Sequence, residues 1–152
     1  MNYIRQANYD DVERIAEILV FNYRLNFYPI FHDDSFYFEE LTVAKQKENY
    51  GNEFESIWVY DDGVVKGFIQ IENAEVKKLF VEPALQGNSI GAELLEYAIS
   101  EREVNFLWAL EKNTKAIAFY KRHGFDITKD KKYEEDTTEF LVRMELLIRI
   151  LR

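Results

Sequence analysis

Cysteine is absent from this chain, which rules out disulfides, thiolate nucleophiles and thiolate metal ligands. The two histidines, His32 and His123, lie far apart in sequence, so no structural zinc site and no other metal is expected. Long apolar runs are missing as well. None approaches the ~20 residues that span a bilayer, and the opening Met1 to Gln6 lacks the apolar core of a signal peptide. A cytoplasmic protein with no membrane contact is expected. Basic side chains are in deficit, 19 against 28 acidic, for a net charge of −9. That balance opposes binding to nucleic acid and favours encounter with cationic partners, amines among them. Prolines number two and glycines six, whereas 47% of residues are hydrophobic and 16% aromatic; such a chain folds, and at 152 residues it fits a single domain spanning 1–152.

The pattern alternates strands with helices. Tyr3 to Ala7 reads as a strand, and Asp10-Asp11-Val12-Glu13 has the form of a helix start with Asp10 as N-cap and Glu13 closing a capping box. Val12, Ile15, Ala16, Leu19 and Val20 give that helix a buried face, and it should run to about Leu25. From Asn22 to Phe54 aromatics crowd together with Asp33, Asp34, Glu39 and Glu40, and Glu39 to Tyr50 is spaced for a second helix. This stretch reads either as core and dimer contact or as a wall that would hold a cationic amine. Ile57 to Tyr60, the turn Asp61-Asp62-Gly63 and Val64 to Ile71 form a hairpin, with Gly67 allowing a bend or close approach. Val104 to Leu110 is a strand, and Thr114 to His123 a helix that stops at Gly124. Asp126 to Thr128 should pair with Glu139 to Leu147 across an exposed charged loop, Lys129 to Asp136. The tail Leu146 to Arg152 is apolar enough for an edge strand or a contact with another chain, so a homodimer is one expectation. A strand following a strand-helix crossover needs a parallel neighbour, so the fold class is α/β with a mixed, mostly antiparallel sheet.

The centre of this plan is Val76 to Leu95, where the period changes from strand to helix. Leu79-Phe80-Val81 is an apolar strand ended by Pro83, and Ile90, Leu94, Leu95, Ala98 and Ile99 recur at helical spacing. The helix must begin near Gln86 to Ser89, where Gly87 and Gly91 leave backbone amides open and Asn88 and Ser89 add donors. Unpaired N–H groups with a partial positive charge suit a phosphate; an ordinary strand-to-helix connection has the same look. The loop lacks the lysine-serine or lysine-threonine pair of an ATP-binding P-loop.

Gln86-Gly87-Asn88-Ser89-Ile90-Gly91-Ala92, after Leu79-Phe80-Val81-Glu82-Pro83, resembles motif A of the GNAT superfamily of acyl-CoA-dependent N-acetyltransferases, with Ser89 where the first motif glycine usually stands. Asn113-Thr114-Lys115-Ala116-Ile117-Ala118-Phe119-Tyr120-Lys121-Arg122-His123-Gly124-Phe125 is similar to the family's Asn-x-x-Ala-x-x-Phe-Tyr-x-x-x-Gly-Phe. The resemblance implies a splayed parallel strand pair in the sheet and acetyl-CoA as cosubstrate. It implies an acetyl transfer to a primary amine of a small molecule or peptide by direct attack in a ternary complex. Gln86 to Ala92 would hold the pyrophosphate, Phe80 and Val81 would offer backbone groups to the pantetheine arm and Val81 an oxyanion donor, and Asn113 would contact the cofactor. Tyr120 would protonate the leaving thiolate, since a phenol of reference pKa ~10 stays protonated at neutral pH. Glu75 stands where some members carry a general base, with Glu72 and Glu111 as alternatives. Lys115, Lys121 and Arg122 are candidates for the 3′-phosphate. Packing, capping and solvated-charge readings stand beside each of these roles, and a non-catalytic acyl-CoA sensor on the same fold is the competing function.

Overall fold

A computed structural model of the protein describes residues 2–147. Most of the tail singled out above lies outside the described residues. The chain enters through strand β1 (Ile4–Gln6) and reaches helix α1 (Val12–Asn26) over a short helical turn, Tyr9–Asp11. The cap expected at Asp10 sits two residues earlier: the Asn8 side chain accepts from the Asp10 amide at 2.9 Å, and the Asp11 carboxylate accepts from the Asn8 amide at 2.9 Å. Asn8 is extended, which frees its side chain to fold back, whereas Asp10 is already inside the turn.

The aromatic segment is mostly core. Helix α2 (Tyr28–Phe31) and a π turn at Phe36–Glu40 precede helix α3 (Val43–Tyr50). The helix expected from Glu39 therefore starts later: Leu41 leaves the helical region to bury its side chain, and Thr42 caps the Lys45 amide. Tyr37 and Tyr50 are buried, and Tyr23, Phe27, Tyr28 and Phe31 pack on the same cluster beneath α1.

Strands β2 (Ile57–Asp61), β3 (Val65–Glu72), β4 (Glu75–Val81), β5 (Phe106–Leu110), β6 (Phe125–Tyr133) and β7 (Phe140–Leu146) complete one seven-stranded sheet, ordered β1-β2-β3-β4-β5-β7-β6. Only β4 and β5 run parallel. Helix α4 (Ile90–Arg102) covers one face of the centre and α1 the other, giving two cores. The charged run Lys129 to Asp136 expected as a loop is strand up to Tyr133 and a connection only from Glu134: β6 carries Lys129 to Lys132 as the sheet's outer edge, with an irregularity between Ile127 and Lys131. An edge strand faces water along one side, and lysines there discourage pairing with another chain.

Strand β4 pairs with β3 along its length except at Lys77, an extra residue between the pairs Gln70↔Lys78 and Ile71↔Val76. Such a bulge bends its strand and raises the twist. Against β5, β4 pairs only at Glu75↔Phe106 and Val76↔Leu107, and beyond the bulge the two strands part. The Glu82 amide donates to the Lys66 carbonyl of the β3 side; amide direction alternates along a strand, so the N–H and C=O of Val81 face the gap. Gly67 lets α4 come close over this point, because a Cβ there would lie 3.1 Å from the Phe80 carbonyl and 3.2 Å from Ile90 and Leu94.

Candidate active site

A cavity of about 560 Å³ lies against the open edge of β4, beyond the point where β4 and β5 part. Its walls are Leu79, Phe80 and Val81 from β4, the start of α4, and helix α5 (Thr114–Arg122), with Asn22 and Asn26 from α1 at one side. Pockets of several hundred Å³ hold small molecules and cofactors.

Helix α4 begins bare. Its N-cap, Ser89, makes no side-chain capping bond, and the Ile90, Gly91 and Ala92 amides find no partner among the described residues; the Glu93 amide is the first to be bonded, to the Ser89 carbonyl at 2.9 Å. All three line the cavity. Gly87 and Ser89 shape this start with φ of +91° and +68°. At Gly87 an added side chain would meet open space, so backbone conformation alone favours glycine there. Ser89 takes the left-handed conformation with a side chain that disfavours it, which costs roughly 1–2 kcal/mol. A row of uncapped amides beside an open cavity fits an anionic group such as a pyrophosphate. At Gly91 an added Cβ would make only ordinary contacts, at 3.6 Å from Phe119 and Val81, so no crowding within the fold calls for glycine.

Across the cavity, Tyr120 packs its ring against Phe119 and Phe125, with centroids 5.3 and 6.0 Å away. Its hydroxyl makes no hydrogen bond to the described residues, and burial pushes the phenol well above its ordinary value, so it holds its proton. Asn113 caps α5, its Oδ1 accepting from the Ala116 amide at 3.2 Å, which leaves Nδ2 without a described partner on the cavity wall. Lys115 and Arg122 also line the cavity and bring positive charge to it, and His123 lines it beside them.

Five of the residues singled out from sequence, Asn88, Glu75, Glu72, Glu111 and Lys121, lie outside the cavity lining, and Glu111 is paired with Lys131. Asn88 turns outward, its Nδ2 donating to the Leu85 carbonyl at 3.1 Å, so it holds the loop and is no part of the wall. Glu75 sits at the closed end of the gap, 3.8 Å from Lys77 and outside the cavity lining. It is six residues from Val81, about 20 Å along an extended strand. The bulge at Lys77 places Glu75 on the α1-facing side of the sheet together with Lys78 and Phe80.

Asn22 was not read from sequence. Only 1% exposed, it donates through Nδ2 to the Val81 carbonyl at 2.9 Å and the Ile18 carbonyl at 2.8 Å, while its Oδ1 accepts from Gln86 Nε2 at 3.0 Å. One side chain thus ties α1 to the open edge of β4 and to the loop before α4. The signal was an asparagine three residues after Leu19, on the stripe that otherwise carries apolar residues.

Residues 53–127 match the family described as acetyltransferase (GNAT) domain, and the chain belongs to the GNAT superfamily. Among curated relatives, the peptidyl-lysine N-acetyltransferase YjaB of Salmonella typhimurium is 32% identical over 74 residues, 47% of this chain and 51% of the relative. The peptidyl-lysine N-acetyltransferase YiaC of Escherichia coli is 33% identical over 82 residues, 53% and 56% of the two chains. This chain thus spans about half the length of the curated relatives it matches. The fold is shared over nearly its whole length with apo YjaB of Escherichia coli, with a TM-score of 0.68 at 21% identity, covering 95% of this chain and 96% of the other. It is also shared with the PaiA N-acetyltransferase of Thermoplasma acidophilum solved with coenzyme A, with a TM-score of 0.64 at 21% identity, covering 92% and 96%. Among the described residues no helix is long and apolar enough to cross a membrane.

Proposed function

We propose that this chain, as a single domain over 1–152, is an N-acetyltransferase that moves the acetyl group of acetyl-CoA onto a primary amine of a small molecule or peptide by direct attack in a ternary complex. The observation that carries this reading is one cavity in which an opened strand edge, an uncapped helix start and a protonated tyrosine face one another. Acetyl-CoA, when bound, supplies an activated thioester and an anionic pyrophosphate.

The chain's own groups divide the work. The amides at the start of α4 hold the pyrophosphate, with Gly87 giving close approach, and Lys115 and Arg122 attract the remaining phosphate charge. Val81 offers its gap-facing amide to the carbonyl oxygen as negative charge develops there. The lone pair of the neutral amine forms the new C–N bond, the C–S bond breaks, and Tyr120 gives its hydroxyl proton to the departing sulfur. Glu75 is the candidate that takes the amine's proton, and at about 20 Å along β4 from Val81 it does so through a relay of waters and not by direct contact. Asn22 keeps the Val81 peptide and Gln86 in register.

The names of the curated relatives support a lysine side chain in a peptide among the acceptors. The acidic charge supports an amine over a nucleic acid, and a cytoplasmic setting belongs to the same reading. So does a homodimer through the exposed rings of Phe21, Phe36 and Phe38, which the mass in solution at micromolar concentration tests. The transfer itself is tested by release of CoA thiol from acetyl-CoA across polyamines, aminoglycosides, amino acids and lysine peptides. Acceptor-dependent release is expected. Acetyl-CoA binding with no release for any acceptor would contradict the reading and favour a sensor.

A further inference from the structure

Lys78 has no carboxylate partner among the described residues, although the chain carries 28 acidic side chains. It lies on the central strand, one residue before Leu79, and is half-buried. Its ammonium donates to the Tyr50 hydroxyl at 2.5 Å and stands 5.2 Å from the centre of the Tyr50 ring. A lysine held this way keeps its charge facing aromatic and hydroxyl groups, which leaves the full attraction for an anion unmet.

The position of that charge follows from the register. Lys78 and Phe80 pair with Gln70 and Phe68, and both phenylalanines pack in the core beneath α1. The Lys78 side chain therefore projects to the α1 and α3 side of the sheet, whereas α4 and α5 close the other side around the cavity. If acetyl-CoA occupies that cavity, as the proposed function requires, the acceptor must reach the gap from the side where Lys78 stands. The Tyr23 hydroxyl marks the same place. Burial pushes it up to about 12, with the Lys78 charge opposing the shift. The Tyr23 ring sits 5.6 Å from Phe80 and 4.8 Å from Phe27. An unpaired cation on the strand beside the gap, set against tyrosines, matches an acceptor that carries a carboxylate as well as its amine.

We propose that the acceptor is an amino-carboxylate, an amine with a carboxylate a few bonds away, and that Lys78 binds this carboxylate. A charge-assisted hydrogen bond from an ammonium to a carboxylate in a half-buried site discriminates against a neutral analogue more strongly than any contact between uncharged groups there. This inference rests on the transferase reading and narrows its substrate class.

The test compares each common amino acid with its own primary carboxamide as acceptor, by CoA thiol release, in wild-type protein, Lys78→Met, Lys78→Arg and Tyr50→Phe. At least one free amino acid should exceed its carboxamide tenfold or more in kcat/KM, chiefly through KM. Lys78→Met should bring that ratio close to one, and Lys78→Arg should retain most of it. Tyr50→Phe, which keeps the ring and removes the hydroxyl, should weaken the preference less than Lys78→Met. Thermal melts check that each variant folds. Equal use of acids and carboxamides, a preference that survives in Lys78→Met, or turnover confined to lysine peptides would overturn the inference and leave the transferase standing. No release with any amine, despite bound acetyl-CoA, would instead defeat the transferase reading itself.

Discussion

Helices α4 and α5 start at the same cavity and start differently. At α5, Asn113 closes the first turn with a side-chain bond to the Ala116 amide. At α4, Ser89 caps nothing, sits in the left-handed region, and leaves three amides open. Helix α3 is closed as well, through Thr42, and the turn that leads into α1 is closed by the Asn8 and Asp11 box, although Asp11 itself makes no side-chain capping bond to α1. Closed starts serve the fold; a bare, strained start kept beside a cavity costs stability and leaves donors for a ligand. The same contrast runs along β4, which is zipped to β5 at Glu75 and Val76 and open at Leu79 and Val81.

Breaking each side of this comparison should have a distinct signature. The largest effect is expected from Tyr120→Phe, which removes the proton donor and keeps the ring: kcat for acetyl transfer should fall about 100-fold, with the CoA Kd within about twofold of wild type in titration calorimetry. Asn22→Leu fills the same space but leaves the Val81 carbonyl unpartnered. A loss of about 2–3 kcal/mol is expected, lowering Tm by roughly 5–10 °C, together with weaker CoA binding because the open edge of β4 loses its anchor. Asn113→Ala should cost about 1 kcal/mol in denaturant unfolding, a capping loss at the closed start. Ser89→Gly sharpens the contrast in the opposite direction. Release from the left-handed strain should raise stability by about 1 kcal/mol, read in the same unfolding experiment, without adding any contact.

Much of this plan is legible in the sequence because it rests on local chemistry. The period change across Val76 to Leu95, the hairpin at Asp61-Asp62-Gly63, and the helix that stops at Gly124 all appear where residue types and spacing put them. The start of α4 is legible too, since Gly87 and Gly91 stand out against a chain with few glycines. What sequence does not resolve is set by distance. The cap moved from Asp10 to Asn8 because the choice turns on one extended residue and on Arg5, whose guanidinium holds the Asp11 carboxylate at 2.7 and 2.9 Å. Residues Lys129 to Lys132 look like a loop by composition, but an edge strand tolerates the same charges. Asn88 and Gln86 are equally polar neighbours in the motif; only the fold shows that Asn88 turns back to Leu85 while Gln86 reaches Asn22 across the sheet. The bulge at Lys77, which puts Glu75 and Lys78 on one face, has no local mark at all.

Backbone amide shifts on titration with coenzyme A test the central claim most directly, because they report on the open donors one by one. The account predicts large shifts at Gly87, Ile90, Gly91, Ala92 and Val81, with the capped Ala116 amide much less affected. Binding that leaves the α4 amides unmoved, or shifts centred on another part of the surface, would contradict it.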